Sequence, residues 1–134
     1  MADAVASQTI QDGERTAIMR FTNVSDGTGE SAVKKVDVSA LAANSAGQAC
    51  TEVHIQRIYW MTVGMSVKLE FDATSSVLLT HIPADATGDE YYDNFTAIPN
   101  NAGSGKTGDI DFTTVGHSSG DSYMIILEMI KKYD

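Results

Sequence analysis

Apolar and polar residues alternate along most of this chain, which is the pattern of β-strands with one buried face. The segment 66–71 shows it most clearly, because Val, Leu and Phe occupy every second position and Lys and Glu lie between them. Such a strand is expected to bury one face and to expose the other to water. Strands are predicted over residues 15–24, 33–38, 52–62, 66–71, 76–82, 93–98, 108–115 and 122–130.

Two of these strands depart from simple alternation. Residues 52–62 alternate at first and become apolar on both sides near Arg57, which predicts a bulge or a bend there. Residues 122–130 are apolar at nearly every position, which predicts a central strand that is covered on both faces. Helix signals are almost absent, and we expect no more than one short helical turn, between residues 37 and 49.

About eight short strands separated by turn-forming residues predict an all-β fold, either a single-domain β-sandwich or a jelly-roll-like barrel, with little or no helix. The length of 134 residues suits one domain. We predict an N-terminal arm over residues 1–12, which is polar and lacks a core pattern, and a single β domain over residues 13–134. Two turn-rich segments, 83–92 and 99–108, are predicted to be long loops, where rigid β scaffolds often carry their function.

Charge and cysteine content limit which binding partners and which cellular compartment are expected. With 18 acidic and 9 basic residues the formal net charge is -9, which opposes binding to the phosphates of nucleic acids. The single cysteine, Cys50, excludes an internal disulfide and is expected to be a buried or idle thiol. The N-terminus lacks the pattern of a signal peptide, and no segment approaches the ~18 apolar residues of a membrane span. We therefore expect a protein that is made and kept in the cytoplasm of its host cell.

A glycine-rich segment over residues 103–108, Gly-Ser-Gly-Lys-Thr-Gly, resembles a phosphate-binding loop. Such a loop needs an earlier glycine where this chain has Asn100, and it must open a helix whose N-terminus holds the phosphate. Here the segment leads into a predicted strand, so a glycine-rich turn is expected. Residues 116–120, Gly-His-Ser-Ser-Gly, likewise predict a turn between two strands and not a nucleophilic serine on a strand-to-helix elbow.

The histidines and acidic residues form no recognisable site in the sequence. His54, His81 and His117 match no zinc motif, and the first two are expected to be solvent-facing or hydrogen-bonded strand residues. Acidic residues cluster over 85–93 and 109–121, but their spacing is not that of a calcium loop, so solvated acidic loops are expected. We therefore predict no catalytic residues, no metal and no cofactor, and a protein that is not an enzyme.

Aromatic residues are grouped in or beside the predicted loop 83–92, where Tyr91 and Tyr92 are followed by Phe95. Tyrosines on loops are common at protein interfaces and sugar sites, because the ring has an apolar face and a polar edge. The alternative is that one ring of the tyrosine pair simply caps the core.

Residues 100–111 read NNAGSGKTGDID, and residues 113–129 read TTVGHSSGDSYMIILEM. Near the N-terminus, residues 7–13 read SQTIQDG and are followed by Arg15 and an alternating strand. These segments are similar to a group of small virion proteins of tailed bacteriophages, in a likeness that lies at the two ends of the chain and covers about half its length. The likeness is weakest over residues 26–50.

The resemblance implies a structural component of a phage particle, specifically a head decoration or cement protein on the surface of the head. Its partners would be the major capsid protein and copies of itself, with no nucleic acid and no membrane. The expected contacts are Thr9 and Ile10 of the N-terminal arm, which would add to a neighbour's sheet edge, and Tyr91, Tyr92 and Phe95. The alternatives are a tail, neck or fibre component and a glycan-binding β-sandwich module.

Overall fold

The computed structural model describes residues 3–92 and 97–133, which form a β-sandwich of two antiparallel sheets. The predicted all-β sandwich is confirmed, and within these residues the sheets do not close into a barrel. A short 3-10 turn lies in the segment where one helical turn was expected. The elements are β1 (Ala4–Asp12), β2 (Thr16–Val24), β3 (Val33–Val36), the 3-10 turn (Val38–Ala40), β4 (Cys50–Val63), β5 (Ser66–Phe71), β6 (Val77–Ile82), β7 (Thr87–Tyr91), β8 (Ile110–Val115) and β9 (Ser122–Tyr133).

The two sheets have five and four strands, in the orders β1-β2-β9-β4-β7 and β3-β8-β5-β6. At the centre of the larger sheet, β9 pairs with β2 on one side and with β4 along its whole length on the other. Core rings meet edge to face between the sheets, with ring centroids 5.1 Å apart for Phe21 and Phe112 and 5.9 Å apart for Phe112 and Tyr123. Pairs of this geometry add about 0.5–1.5 kcal/mol each beyond the burial of their surface.

The bulge predicted in the long strand β4 is confirmed. Its pairing with β9 shifts register between Ile55 and Arg57, and the buried positions change from Val53 and Ile55 before the shift to Ile58 after it. One extra residue in a strand turns the following side chains to the other face. Arg57 and Tyr59 therefore lie on the outside of the sheet while Ile58 stays in the core.

One predicted strand falls mostly outside the described part of the chain. Residues 93–96 of the predicted strand 93–98 are not among the described residues, and Ile98 forms an isolated antiparallel bridge with Ile55.

The N-terminal residues that the sequence predicts to be an arm form the edge strand of the chain's own sheet. Residues Ala4–Asp12 are β1, which pairs antiparallel with β2. All side chains as far as Gln11 are exposed, so this strand has no buried face that alternation could reveal. Its beginning is fixed by the Asp3 carboxylate, which accepts hydrogen bonds from the Asn23 side chain at 3.2 Å and from the Asp26 backbone N–H at 3.1 Å.

The segment 83–92, predicted to be a loop, contains the second edge strand of this sheet. In β7, Tyr91 lies opposite Arg57 of β4. Most of its residues are exposed, and backbone hydrogen bonds to β4 form the strand without any apolar pattern. A Cβ atom at Gly88 would lie 2.1 Å from the ring of Trp60, so glycine at this position leaves room for the indole.

A buried ammonium group joins the last strand to two distant segments. The side chain of Lys131 is 0% exposed, and its Nζ donates to Asp12 Oδ1 at 2.6 Å, Ala42 O at 2.7 Å and Gly13 O at 2.8 Å. These acceptors match the three donors of the ammonium. Burial works against ionisation of Asp12, but the hydrogen bonds from Lys131 and from the Ala42 N–H outweigh it and lower the pKa of this carboxyl. The end of β1, the β1–β2 turn and the loop after the 3-10 turn are thereby held against β9.

A second buried ion pair lies near the other end of β9. Lys35 Nζ is 2.5 Å from Glu30 Oε2, and both side chains are 5% exposed. The Tyr123 hydroxyl donates to Glu30 Oε1 at 2.6 Å, and the Glu30 N–H donates to Thr114 Oγ1 at 2.8 Å. Burial, and then the hydrogen bond to Glu30, raise the pKa of Tyr123, so its hydroxyl keeps its proton and remains a donor. Both oxygens of the Glu30 carboxylate therefore have partners.

Candidate docking face

Every second residue of β9 points away from the core. Ile125 and Leu127 are fully buried, whereas Met124, Ile126 and Ile130 on the other side are half-buried. Among the described residues no strand lies over that side, because the second sheet packs on the opposite one. The sequence-based prediction for this strand is therefore right about its central position and wrong about coverage on both faces.

The outward residues of β2, β9, β4 and β7 form one surface, which we refer to as the outer face. In it, Ile126 lies between Arg20 on β2 and Tyr59 on β4, and in the next row Met124 lies opposite Met61. Residues directly opposite each other in antiparallel strands point to the same side, with Cβ atoms ~4.5–5.5 Å apart. The apolar stripe formed by Met124 and Ile126 of β9 is therefore continuous with Tyr59 and Met61, and Glu128 separates it from Ile130.

A fixed arginine lies beside this stripe. Arg57 Nε donates to Asp89 Oδ1 at 2.8 Å and its Nη2 donates to Oδ2 at 2.5 Å, while the guanidinium carbon lies 5.9 Å from the centre of the Tyr91 ring. The paired hydrogen bond with Asp89 raises the pKa of Arg57 and lowers that of Asp89, so both groups stay charged. Glu128 lies opposite Arg57 on β9. The charged groups here are thus held in defined positions.

Two of the three arginines of the chain, Arg20 and Arg57, lie on the outer face, and Arg15 lies at its border. Arg20 lies opposite Ile126. Arg57 and Arg15 border two open depressions of this face, the first beside Ile126 and the second beside Ile130. Asp89 and Glu128 lie on the same face, so its charges nearly balance, whereas the whole chain carries a formal charge of -9.

The contact residues predicted from the sequence lie at opposite edges of the five-stranded sheet. Thr9 and Ile10 are on β1, where Ile10 is 51% exposed at a shift of register, and Tyr91 is on β7 and 47% exposed. Four strand spacings, ~19 Å in all, separate these edges, so these residues do not form one patch. Tyr92 is half-buried and packs against the core, as the alternative for this pair proposed. Phe95 lies outside the described residues.

Of the residues of the outer face, only Tyr91 was among the predicted contacts. The signal that could have found them is the apolar run 122–130, in which Met124, Ile126 and Ile130 have no polar alternation. A run of this kind shows that both faces of a strand are apolar, but it does not show what covers each face.

The glycine-rich segment 103–108 lies in a loop that leads into strand β8, which confirms the predicted turn. At Gly108, whose φ is 87°, a Cβ atom would lie 1.9 Å from the carbonyl oxygen of Thr51. Because that neighbour is backbone, the close approach of this loop to β4 requires glycine.

The isolated histidines and the cysteine are placed as the sequence predicts. His54 lies on β4, 3.1 Å from Glu52 Oε2, and His81 lies on β6, 3.1 Å from Ser66 Oγ. Cys50 is buried, and burial raises the pKa of its thiol. In residues 3–92 and 97–133, no three His, Cys, Asp or Glu side chains are grouped as ligands of a metal ion.

A buried carboxyl on the smaller sheet lies close to two other carboxyl groups. Asp111 on β8 is 6% exposed, and its pKa is raised to about 6 by burial first and then by the nearby carboxylates of Asp72 and Asp109. Lys34, whose Nζ is 3.1 Å from Asp109, opposes this effect only in part. At neutral pH the fold therefore holds an ionised group in a site that favours its protonated form.

We expect Asp111→Asn to stabilise the protein at pH 7 by about 1–3 kcal/mol, because a rise of one pKa unit corresponds to about 1.4 kcal/mol. The folded pKa lies above the ordinary value of 3.8, so the destabilisation caused by Asp111, and with it the advantage of Asp111→Asn, should shrink as the pH falls from 7 towards 4. Urea unfolding at several pH values gives the free energy of unfolding of wild type, of Asp111→Asn and of the exposed control Glu90→Gln. If Asp111→Asn is no more stable than wild type at pH 7, the pKa of Asp111 is not raised in the folded protein.

No protein-family model, curated protein or solved structure matches this chain. Among the described residues, no helix has the length and apolar character needed to cross a membrane.

Proposed function

We propose that this chain is a non-enzymatic structural protein of a tailed-phage particle, specifically a decoration or cement protein that binds the assembled head through its outer face. The observation that carries the proposal is the apolar stripe of β9, which is only half-buried, lies beside Arg20 and Arg57, and is covered by no strand of the described residues. The sequence resemblance to small phage virion proteins supplies the biological setting. The major capsid protein is then the partner that this face binds.

The residues of the outer face suit a protein interface. Tyr and Arg side chains contribute most to binding energy when they are desolvated among apolar neighbours, and here Tyr59 and Arg57 border the same depression as Ile126. Asp89 already pairs with Arg57, so the guanidinium need not be ordered on binding. Binding through this face would therefore cost little conformational entropy.

The outer face approaches the area of a standard interface. Its four strands at ~4.8 Å spacing, with about nine residues each at ~3.4 Å, give roughly 19 by 30 Å, or about 600 Å². A typical specific complex buries ~800 Å² on each partner. One copy could thus bind a capsid subunit, or the joint between two subunits, without a conformational change.

Stabilisation of the particle would follow from mass action. A protein that binds only the assembled head lowers its free energy by RT ln(1 + [L]/Kd) per site, or ~2.7 kcal/mol when its free concentration is 100 times Kd. Repeated over many sites of a shell, even a modest affinity would oppose disassembly.

The proposal predicts that Ile126→Glu weakens binding to heads by at least ~100-fold, because an unpaired carboxylate in a desolvated interface costs several kcal/mol. Ile126 is only half-buried in the isolated chain, so the variant should fold. The matched control is Leu78→Glu, which places the same charge at a 52% exposed leucine of the smaller sheet. Co-sedimentation with particles stripped of this protein gives the affinities. Equal binding by Ile126→Glu and wild type would show that another surface is used.

The copy number in purified particles distinguishes the decoration role from the alternative functions. Quantitative mass spectrometry should give this protein in a one-to-one or other simple ratio to the major capsid protein. About six or twelve copies per particle would instead indicate a tail or neck component. Binding of the isolated protein to host cells or a glycan array, with none to heads, would favour a glycan-binding module.

A further inference from the structure

One edge of the five-stranded sheet is open and uncharged. Strand β1 is last in the sheet order, so its second edge meets no strand of the described residues. From Ala4 to Gln11 the strand contains no charged residue, no glycine and no proline, and all its side chains are exposed. The backbone N–H and C=O groups along such an edge can pair with another strand.

The other three sheet edges carry features that oppose pairing. Strand β7 has five residues and includes Asp89 and Glu90, and strand β3 has four residues and includes Lys34 and Lys35. Strand β6 has a register shift within its six residues and is followed by Pro83. Short length, charge, bulges and proline are the usual protections of a sheet edge. On β1 the only such feature is the shift near Ile10, close to its end.

The open edge is also held rigidly at both ends. Asp3 accepts hydrogen bonds from Asn23, Asp26 and Gly29, and at the other end Asp12 accepts one from Lys131. A strand fixed in this way has already lost the conformational entropy that pairing would otherwise cost.

We propose that β1 pairs antiparallel with β1 of a second copy of this chain, across a two-fold axis at Ser7, so that the two five-stranded sheets become continuous. The proposal goes beyond the binding of heads and does not depend on it. Side chains alternate along β1, so this register keeps like faces together: Val5 lies opposite Thr9 of the second copy, and Ala4 lies opposite Ile10. Pairs of β-branched residues in such positions stabilise antiparallel sheets.

The absence of charge on this edge permits a second copy as the occupant. Two chains of formal charge -9 repel one another over most of their surface, so an uncharged segment is where two copies can approach each other. A two-fold axis perpendicular to the sheet also leaves both outer faces on the same side. The dimer would then present two docking faces to one surface, and binding of the first would raise the effective concentration of the second.

The register is tested with cysteines in the full chain, without heads. In Ser7→Cys the two thiols would lie directly opposite each other, with Cβ atoms ~4.5–5.5 Å apart, close enough for a disulfide after small adjustments. We expect oxidation to give a disulfide-linked species of twice the 14.3 kDa chain mass. Gln8→Cys, one residue out of register, should cross-link at least ~10-fold more slowly, because diagonal neighbours are ~7–8 Å apart. Ser119→Cys, in the turn between β8 and β9, should stay monomeric.

Light scattering of the wild-type protein provides the second measurement. We expect a dimer at micromolar concentration, which Ser7→Lys converts to a monomer because two ammonium groups would then face each other at the axis. The matched control Ser119→Lys should leave the dimer intact. A wild-type monomer at roughly 100 µM would overturn the proposal, since a dimer with Kd near 1 µM would be almost fully formed there. So would equal cross-linking of Ser7→Cys and Ser119→Cys.

Discussion

Replacing Lys131 with methionine is expected to lower the free energy of unfolding by about 3–5 kcal/mol, the usual cost of removing one partner of a buried ion pair. The variant keeps the length of the side chain but loses its charge and all three hydrogen bonds. The carboxylate of Asp12 and the carbonyl oxygens of Gly13 and Ala42 would then lack their donor. Because those acceptors belong to the β1–β2 turn and the loop after the 3-10 turn, both segments should loosen together.

Chemical denaturation of wild type, Lys131→Met and the adjacent exposed control Lys132→Met measures the effect, and the control should change stability by less than ~0.5 kcal/mol. The pKa of Asp12 in the folded protein is below its ordinary value, so the stabilisation from this pair is present at neutral pH and lost as the pH falls through the folded value. The difference between wild type and Lys131→Met should therefore shrink below about pH 4. A difference that stays constant into acid would mean that the ion pair is not its source.

Removing the other buried cation should have a comparable effect. In Lys35→Met, the Glu30 carboxylate keeps its bond from Tyr123 but loses its counter-charge in a site where its side chain is 5% exposed. We expect a loss of about 3–5 kcal/mol, since the carboxylate would stay buried without its counter-charge. The control is again Lys132→Met, because Lys132 is exposed and its substitution should change stability by less than ~0.5 kcal/mol.

A double-mutant cycle isolates the pair itself. Combining Lys35→Met with Glu30→Gln removes both charges and should recover at least ~1 kcal/mol of the loss, since the uncompensated carboxylate is gone. If the effects of the two substitutions simply add, Lys35 and Glu30 do not stabilise each other, and the ion pair seen in the structure contributes nothing. Unfolding followed by tryptophan fluorescence suits these measurements, because the one tryptophan, Trp60, packs against the core.

The strands with one buried face could be predicted from the sequence, and the two outermost strands of the larger sheet could not. β5 alternates between buried and half-exposed positions because one side of it packs in the core, and the bulge in β4 appears as a change of that alternation at Arg57. β1 and β7 bury almost nothing. They form through backbone pairing and through contacts between residues far apart in the chain, such as Asp12 with Lys131. Contacts between residues so far apart in the chain cannot be predicted from a local sequence pattern.

The sequence predicted only part of the candidate docking face, for a related reason. The apolar run of β9 shows that both sides of the strand avoid water, but a pattern cannot show whether the cover comes from the same chain or from another molecule. Tyr91 was expected at an interface and does lie beside Arg57, whereas Arg20 and Tyr59 are brought to Ile126 only by the register of three strands. Register depends on the whole sheet, so these neighbours could not be inferred from spacing.

The path of the chain through the larger sheet bears on how the protein would respond to mechanical tension. β1 begins at Ala4, opposite Val24, at the end of the sheet where β9 starts, and β9 finishes at Tyr133 at the other end. A force that separates these two points slides β1 and β9 past β2, along the strands. Hydrogen bonds between antiparallel strands are perpendicular to that motion, so they share the load and must break together instead of opening one after another. The larger sheet should therefore resist a pull between these two points more strongly than a pull that opens its strands one by one.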